Sequence, residues 1–317
     1  MKKHPIQHAS GSFSRRDFLR ASGITALTVG GMTVLTACGP AAQSSDASAS
    51  SATTTTISAG SDTSSSDSLK LGDGKTLRVG MEAAYAPYNW QESSASDTTI
   101  PIENVDGAYA DGYDVQMAKK IADALGMEPV AVKMEFGSLV DSLVNGQIDI
   151  ICAGMSVTDE RAQSADFSDS YIDDEVIMVV KQDSPYANAT KLSDFSGASV
   201  LGQKDTFYDD LIDQIPNVNH LTPVATVPLV VDGLMNGTCD AITFSSLSLP
   251  RLLKDYPTLK KVDLADGEGF TDASNPDNAA IAKGQDAVLA KINEVIDGIS
   301  ADERQSMWDD CMDRQPA

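Results

Sequence analysis

An α/β protein of two similar lobes is what the sequence predicts from residue 71 onward, and three observations predict it. Short apolar runs alternate with amphipathic ones, as they do in βαβ units. The alternation runs through two successive series of the same grammar. Within each series a helix closes on an Asn-Gly pair, and then comes an aspartate and an apolar strand: SLVNGQIDIICAG (142–154) and GLMNGTCDAITF (233–244). At 317 residues, 42% hydrophobic and 22% charged, the chain is long and apolar enough to fill two cores.

In the first series KTLRVGM (75–81), EPVAVKM (128–134) and QIDIICAGM (147–155) read as strands. YDVQMAKKIADALG (113–126) and FGSLVDSLVNG (136–146) read as helices, the former placing Val115, Ile121, Ala122 and Leu125 on one side. The order predicts a mostly parallel sheet. The second series runs through EVIMVVKQ (175–182), ASVLGQ (198–203), DTFYDDLIDQI (205–215), VNHLTPVATV (218–227), PLVVDGLMNG (228–237), CDAITF (239–244), SLPRLLKDY (248–256) and LKKVDLA (259–265). A strand, NAAIAK (278–283), and two helices, DAVLAKINEVIDGIS (286–300) and ADERQSMWDDCM (301–312), close the chain.

The N-terminal region has a different character. A basic stretch precedes an apolar run from Ile24 to Ala37, which at about 14 residues falls short of the ~20 needed to span a membrane. It predicts a cleaved export signal over residues 1–37. SRRDFLR (14–20) resembles a twin-arginine motif and LTAC (35–38) a lipobox, in which Cys38 would be lipidated. Residues 38–70 then form a Ser/Ala/Thr-rich tether without apolar periodicity, with a reach of about 30 Å if flexible. Removing the signal, with its net +4, takes the formal charge from −23 to −27. That charge excludes nucleic acid as a partner and leaves the lipid anchor as the only membrane contact.

Catalytic constellations are scarce. His220 is the one histidine outside the signal, and no nucleophile elbow, phosphate loop, dinucleotide fingerprint or calcium loop is present. Cys152, Cys239 and Cys311 show no zinc spacing; one disulfide with a free thiol, or three buried thiols, both remain open. In SVTDER (156–161) a strand ends and a helix begins, with Thr158 as N-cap and Arg161 on the first turn. A guanidinium fork beside free backbone N–H groups suits a carboxylate, and Ser156 can add a hydroxyl. The alternative is a surface arginine paired with Asp159 or Asp166.

NGQIDIICAGMSVTDERAQSADFSDSY (145–171) resembles the signature of the solute-binding proteins of polar amino-acid ABC importers, bacterial family 3. LRVGMEAAYAPYNW (77–90), GYDVQMAKKIADALG (112–126), LSDFSGASV (192–200) and GTCDAITF (237–244) fall in that family's order, so the resemblance covers about residues 75–315. It implies a two-lobed, type II periplasmic-binding-protein-like fold with hinge strands. Lobe 1 would be residues 71–173 with 277–317, and lobe 2 residues 174–276.

By the same resemblance a polar amino acid would bind between the lobes. Arg161 would hold its carboxylate, with Ser156, Gly154 and Thr206, and the backbone around Ala153 would assist. Tyr85, Phe136 and Ala153 would line the side-chain pocket, with Trp90 on its rim. Two departures stand out: Asp205 replaces the glycine usual before Thr206, and Ser245 and Ser246 stand where an acidic residue usually binds the ligand's ammonium. Asp205 or Glu82 could take over that role, or the serine hydroxyls could suffice. The implied protein is a monomeric, extracytoplasmic lipoprotein that needs no cofactor and delivers its ligand to an ABC permease. The competing readings are an enzyme on this fold, similar to cyclic amino-acid dehydratases and using Glu82, Asp205 or His220, and a binding protein for a non-amino carboxylate.

Overall fold

The computed structural model describes Leu69 and residues 71–316. The export signal, Cys38 and the tether up to residue 68 lie outside the described residues.

The chain opens with β1 (Thr76–Met81) and passes into a meander of short strands, β2 (Ala84–Tyr85), β3 (Asn89–Glu92), β4 (Ile100–Pro101) and β5 (Tyr109–Asp111), which pair in the order β2-β3-β5-β4. There follow α1 (Tyr113–Leu125), β6 (Glu128–Lys133), α2 (Leu139–Val144), β7 (Ile150–Ile151), the single turn α3 (Arg161–Ser164) and β8 (Ala165–Ile172). The second series comprises β9 (Val176–Lys181), β10 (Ser199–Leu201), α4 (Phe207–Asp210), β11 (Asn219–His220), α5 (Val227–Met235), β12 (Ala241–Ser245), α6 (Leu249–Asp255) and β13 (Leu259–Lys261). β14 (Asp277–Ala282), α7 (Asp286–Asp297) and α8 (Ala301–Arg314) complete the chain.

Two five-stranded sheets result, in the orders β6-β1-β7-β14-β8 and β11-β10-β12-β9-β13. They repeat one plan. In each, two of the four pairings are parallel and two antiparallel: four strands run the same way, and the one that runs against them, β14 or β9, is the strand that has just crossed from the other sheet. The sheets are therefore mixed rather than mostly parallel, because a crossing strand enters its sheet from the far end. The internal echo in the sequence has a common geometry. α2 and α5 each run out at the Asn-Gly pair, and Gly146 and Gly237 sit at φ 69° and 75°. The following aspartates, Asp149 and Asp240, accept the backbone N–H of Arg78 and Ser199 on the adjacent strands.

The chain crosses between the sheets at residues 173–175 and again at 262–276. The crossings pair with each other: Asn275 N donates to Asp174 O at 2.8 Å, and Val176 N to Ala273 O at 2.9 Å. Asp174 ties this hinge together. Its carboxylate accepts bonds from Glu175 N, Ser246 Oγ, Leu247 N, and the hydroxyls of Tyr88 and Tyr208.

The first sheet packs under α1, which buries Val115, Met117, Ala118, Ile121, Ala122 and Leu125. Each large aliphatic side chain of this kind contributes about 1.5–3 kcal/mol by leaving water. The second sheet has apolar clusters of its own, among them one built on Met178, Val180, Phe195 and Val200 and one on Val179, Leu201, Leu234 and Ile242. Cys152, Cys239 and Cys311 are three separate buried thiols.

Candidate functional site

Between the two sheets, beside the hinge, lies a narrow cleft lined by Glu82, Tyr85, Phe136, Gly154, Ser156 and Arg161 on one side and Gln203, Thr206, Phe207, Tyr208 and Asn275 on the other. The gaps between these atoms, counting those continuous with solvent, enclose about 280 Å³.

Arg161 opens α3, with Glu160 rather than Thr158 in the N-cap position; the Thr158 hydroxyl still accepts the Arg161 N–H at 3.2 Å from the turn before it. The helix is only one turn long, because β8 begins at Ala165. Its end contributes little field, and the charge at this spot is that of the guanidinium. Nη1 donates to Ser156 O at 2.7 Å, and Nη2 crosses the cleft to Asp205 O at 2.9 Å. The group lies 5.1 Å from the Phe136 ring centroid. Burial pulls its pKa below the ordinary arginine value, opposed by the more distant Asp210 and Glu160.

Among the described residues no carboxylate comes within ion-pair distance of Arg161. Arg78, Arg251 and Arg314 each have one, and Arg304 is occupied by three backbone carbonyls. The surface pairing with Asp159 or Asp166 is therefore not formed; Asp166 meets Lys283 instead.

Tyr85 and Phe136 are both buried at the cleft. Tyr85 stacks on Tyr88 with centroids 4.5 Å apart, and its hydroxyl lies 3.3 Å from that of Tyr208 on the opposite side. Gly154, at φ 59°, makes room for that ring: a Cβ there would sit 3.1 Å from Tyr85 Cε1. Its N–H bonds Asp114 Oδ1 at 3.3 Å. Ala153 is buried beside it without lining the cleft. Thr206 begins α4 and donates its hydroxyl to Gln203 O at 2.7 Å.

Trp90 is not in this cleft. Its indole N–H bonds Glu92, Arg314 lies over its ring, and it lines a separate groove with Arg251 and Pro316.

The residues considered for an ammonium scatter. Asp205 lines no part of the cleft; its carboxylate is half exposed and 3.2 Å from Lys204, while its carbonyl meets Arg161. It sits at φ 62°, the left-handed conformation that glycine adopts without cost, which accounts for a glycine at this point of the family motif. Ser246 is engaged by Asp174, and Ser245 Oγ accepts from Ser248 N. Glu82 does line the cleft, buried and bonded to Gln203 Nε2 at 2.9 Å. Burial raises its pKa to about 7, against the lowering effect of that bond.

His220 lies elsewhere on the second sheet, between Asp209 at 2.9 Å and Asp213 at 2.8 Å. Burial lowers its pKa, and the two aspartates outweigh that to leave it raised.

Gln203, Tyr208 and Asn275 line the cleft and were not among the residues the sequence singled out. Gln203 could have been found, since it closes the strand-like ASVLGQ three residues before Thr206.

Residues 77–308 match the bacterial extracellular solute-binding proteins, family 3. The chain is 25% identical over 228 residues to a "probable histidine-binding protein" of Neisseria gonorrhoeae, across 71% of this chain and 78% of that one. It is 30% identical over 207 residues to the ABC transporter glutamine-binding protein GlnH of Bacillus subtilis, across 64% and 72%. Among solved structures it is similar to the substrate-binding protein of an amino acid ABC transporter, at 29% identity and TM-score 0.62 over 75% of this chain and 98% of that one. It is also similar to the arginine-bound form of truncated ArgBP from T. maritima, at 27% identity and TM-score 0.58 over 71% and 96%.

Proposed function

Because the chain belongs to the bacterial extracellular solute-binding proteins, family 3, we propose that it captures a polar amino acid in the cleft beside Arg161 and delivers it to an ABC permease. It is a solute-binding protein, not an enzyme. The observation that carries the reading is the Arg161 guanidinium: it lines the cleft, lies over Phe136, and has no carboxylate of the described chain to neutralise it. A ligand carboxylate supplies that charge, with Ser156 and the backbone of Gly154 and Thr206 around it.

The far end of the cleft supports a side chain that donates hydrogen bonds. Glu82 and Gln203 stand there with acceptor oxygens, and Tyr85, Phe136 and Phe207 offer faces for the stem between. Closing of residues 71–173 and 277–317 onto 174–276, about the paired hinge segments, is the change a permease would read. The twin-arginine-like signal, Cys38 and the tether support attachment to the outer face of the cytoplasmic membrane through lipid, with the binding body acting as a monomer.

The test is a thermal-shift and titration screen of the whole chain with L-histidine, L-arginine and L-glutamine, their decarboxylated amines and non-amino carboxylates. An amino acid at 100 times its Kd adds about 2.7 kcal/mol to folded-state stability. Its amine gives no shift, and Arg161→Ala weakens binding by about 2–5 kcal/mol. Stabilisation by the amine, or retained affinity in Arg161→Ala, overturns the carboxylate assignment; stabilisation only by a non-amino carboxylate overturns the amino-acid reading.

A further inference from the structure

Of the groups near Arg161, each of those weighed for an ammonium already has a partner within the described chain. Ser245 and Ser246 are bonded within their own turn and hinge, Asp205 pairs with Lys204, and Glu82 is turned to Gln203. Asp174 has no capacity left, since its two oxygens already accept five hydrogen bonds. One fully buried side-chain oxygen at the cleft accepts no hydrogen bond from any described residue. Asn275 is only 2% exposed, it lines the cleft with Arg161 and Ser156, and its Oδ1 has no hydrogen-bond partner among the described residues. Its carboxamide is oriented from behind: Nδ2 donates to Tyr208 Oη at 3.3 Å, and its backbone N–H is fixed to Asp174 O across the hinge.

Resting on the amino-acid reading, we propose that Asn275 Oδ1 is the acceptor for the ligand's α-ammonium, taking over from the second-lobe carboxylate that Ser245 and Ser246 replace. A buried carbonyl oxygen without a donor is costly, and an N–H of the ligand removes that cost. The position suits an α-amino group because Asn275 lies two residues before Asp277, and Asp277 bridges the backbone of Ser156, the residue on which Arg161 rests. Carboxylate and ammonium of one α-carbon would then be held by two adjoining points of the same wall.

The surrounding field has the right sense. Arg161 stands at one end and Asp174 lies buried along the hinge, while Asp277 Oδ1 is a further buried oxygen without a donor among the described residues. Burial, with Asp114 and Asp174 nearby, holds the Asp277 carboxyl well above the usual range.

The experiment is isothermal titration of the whole chain and of Asn275→Leu and Asn275→Asp with three pairs of probes: L-histidine and 3-(imidazol-4-yl)propanoate, L-arginine and 5-guanidinopentanoate, L-glutamine and 5-amino-5-oxopentanoate. Each pair differs only in the α-ammonium. For the pair that binds the unsubstituted protein, Asn275→Leu should weaken the amino acid at least about tenfold and leave the des-amino partner within about twofold. Asn275→Asp should widen the preference for the amino acid. Equal loss for both partners makes Asn275 a packing residue and overturns the proposal, as does unchanged affinity for the amino acid. Urea midpoints of the two variants without ligand establish that each is folded; if Asn275→Leu is not, the preference measured for Asn275→Asp decides alone. If none of the amino acids binds the unsubstituted protein, the amino-acid reading itself falls before any substitution is tested, and this assignment goes with it.

Discussion

Glu82 is a carboxyl group whose folded-state pKa, about 7, stands above the ordinary 4.5 because it is buried with only Gln203 to satisfy it. The folded protein therefore holds a proton there that the unfolded chain releases between those values. Stability from this group is full below about pH 4.5 and falls as pH rises through 7, by about 3 kcal/mol in all. Glu82→Gln should remove most of that dependence and raise the urea midpoint of the ligand-free protein at pH 8. An unchanged midpoint would mean that water or a counter-charge already serves the carboxylate. At Asp205 the backbone, not the carboxylate, meets Arg161. Asp205→Gly should therefore keep ligand affinity within about twofold, whereas Asp205→Val forces a β-branched residue to φ 62° and should cost about 1–2 kcal/mol of stability. The sequence made Arg161, Ser156, Tyr85, Phe136 and Thr206 legible as a group because each belongs to a recognisable local motif. Asn275 was not legible: it sits in TDASNPDN, a stretch without periodicity, and reaches the cleft only through a crossing 100 residues away in sequence from the first.

At the level of elements, the hinge depends on one side chain more than on its backbone pairing. Asp174→Ala strands the Tyr88 and Tyr208 hydroxyls and the N–H groups of Glu175 and Leu247, and should destabilise the protein by about 2–4 kcal/mol. Because Tyr208 also faces Tyr85 and Asn275, ligand affinity should fall with it; stability lost with affinity unchanged would separate the hinge from the cleft. The helices α1, α5, α7 and α8 were readable from their apolar faces, as were the long strands β1, β6 and β9. The meander β2–β5 was not, since strands of two to four residues carry too few positions to show alternation. The start of α3 was readable but its length of a single turn was not, because capping chemistry marks where a helix begins and says nothing of where the next strand interrupts it.

For the molecule as a whole, several buried groups shift in the same sense. Burial raises Asp114 to about 6 despite its bonds from Tyr171 and Asn89, and Glu82, Asp277 and His220 are raised too; Asp111, held low by Arg314 and Thr98 against its own burial, and Asp73, held low by the backbone N–H groups of Thr76 and Lys75, shift the other way. Every raised group gives more stability when protonated, and a formal charge of −23 adds self-repulsion that eases as carboxylates titrate. The melting temperature should therefore be higher near pH 5.5 than at pH 8, and added salt should raise it at pH 8 by screening. A flat profile would show that water reaches these sites. The two-lobed plan was legible because its grammar is written twice in the chain. The mixed sheets were not, because local pattern fixes which strands exist but not which of them crosses over.

The place of β14 in the first sheet has a consequence for how the molecule comes into being. It fills the gap between β7 and β8, yet it is translated only after the whole second series. At about 5–20 residues per second, the roughly 105 residues between β8 and β14 take on the order of 5–20 s to synthesise. Throughout that interval the edges of β7 and β8 that β14 covers lack that partner. The first sheet is thus the earlier to be begun and the later to be finished.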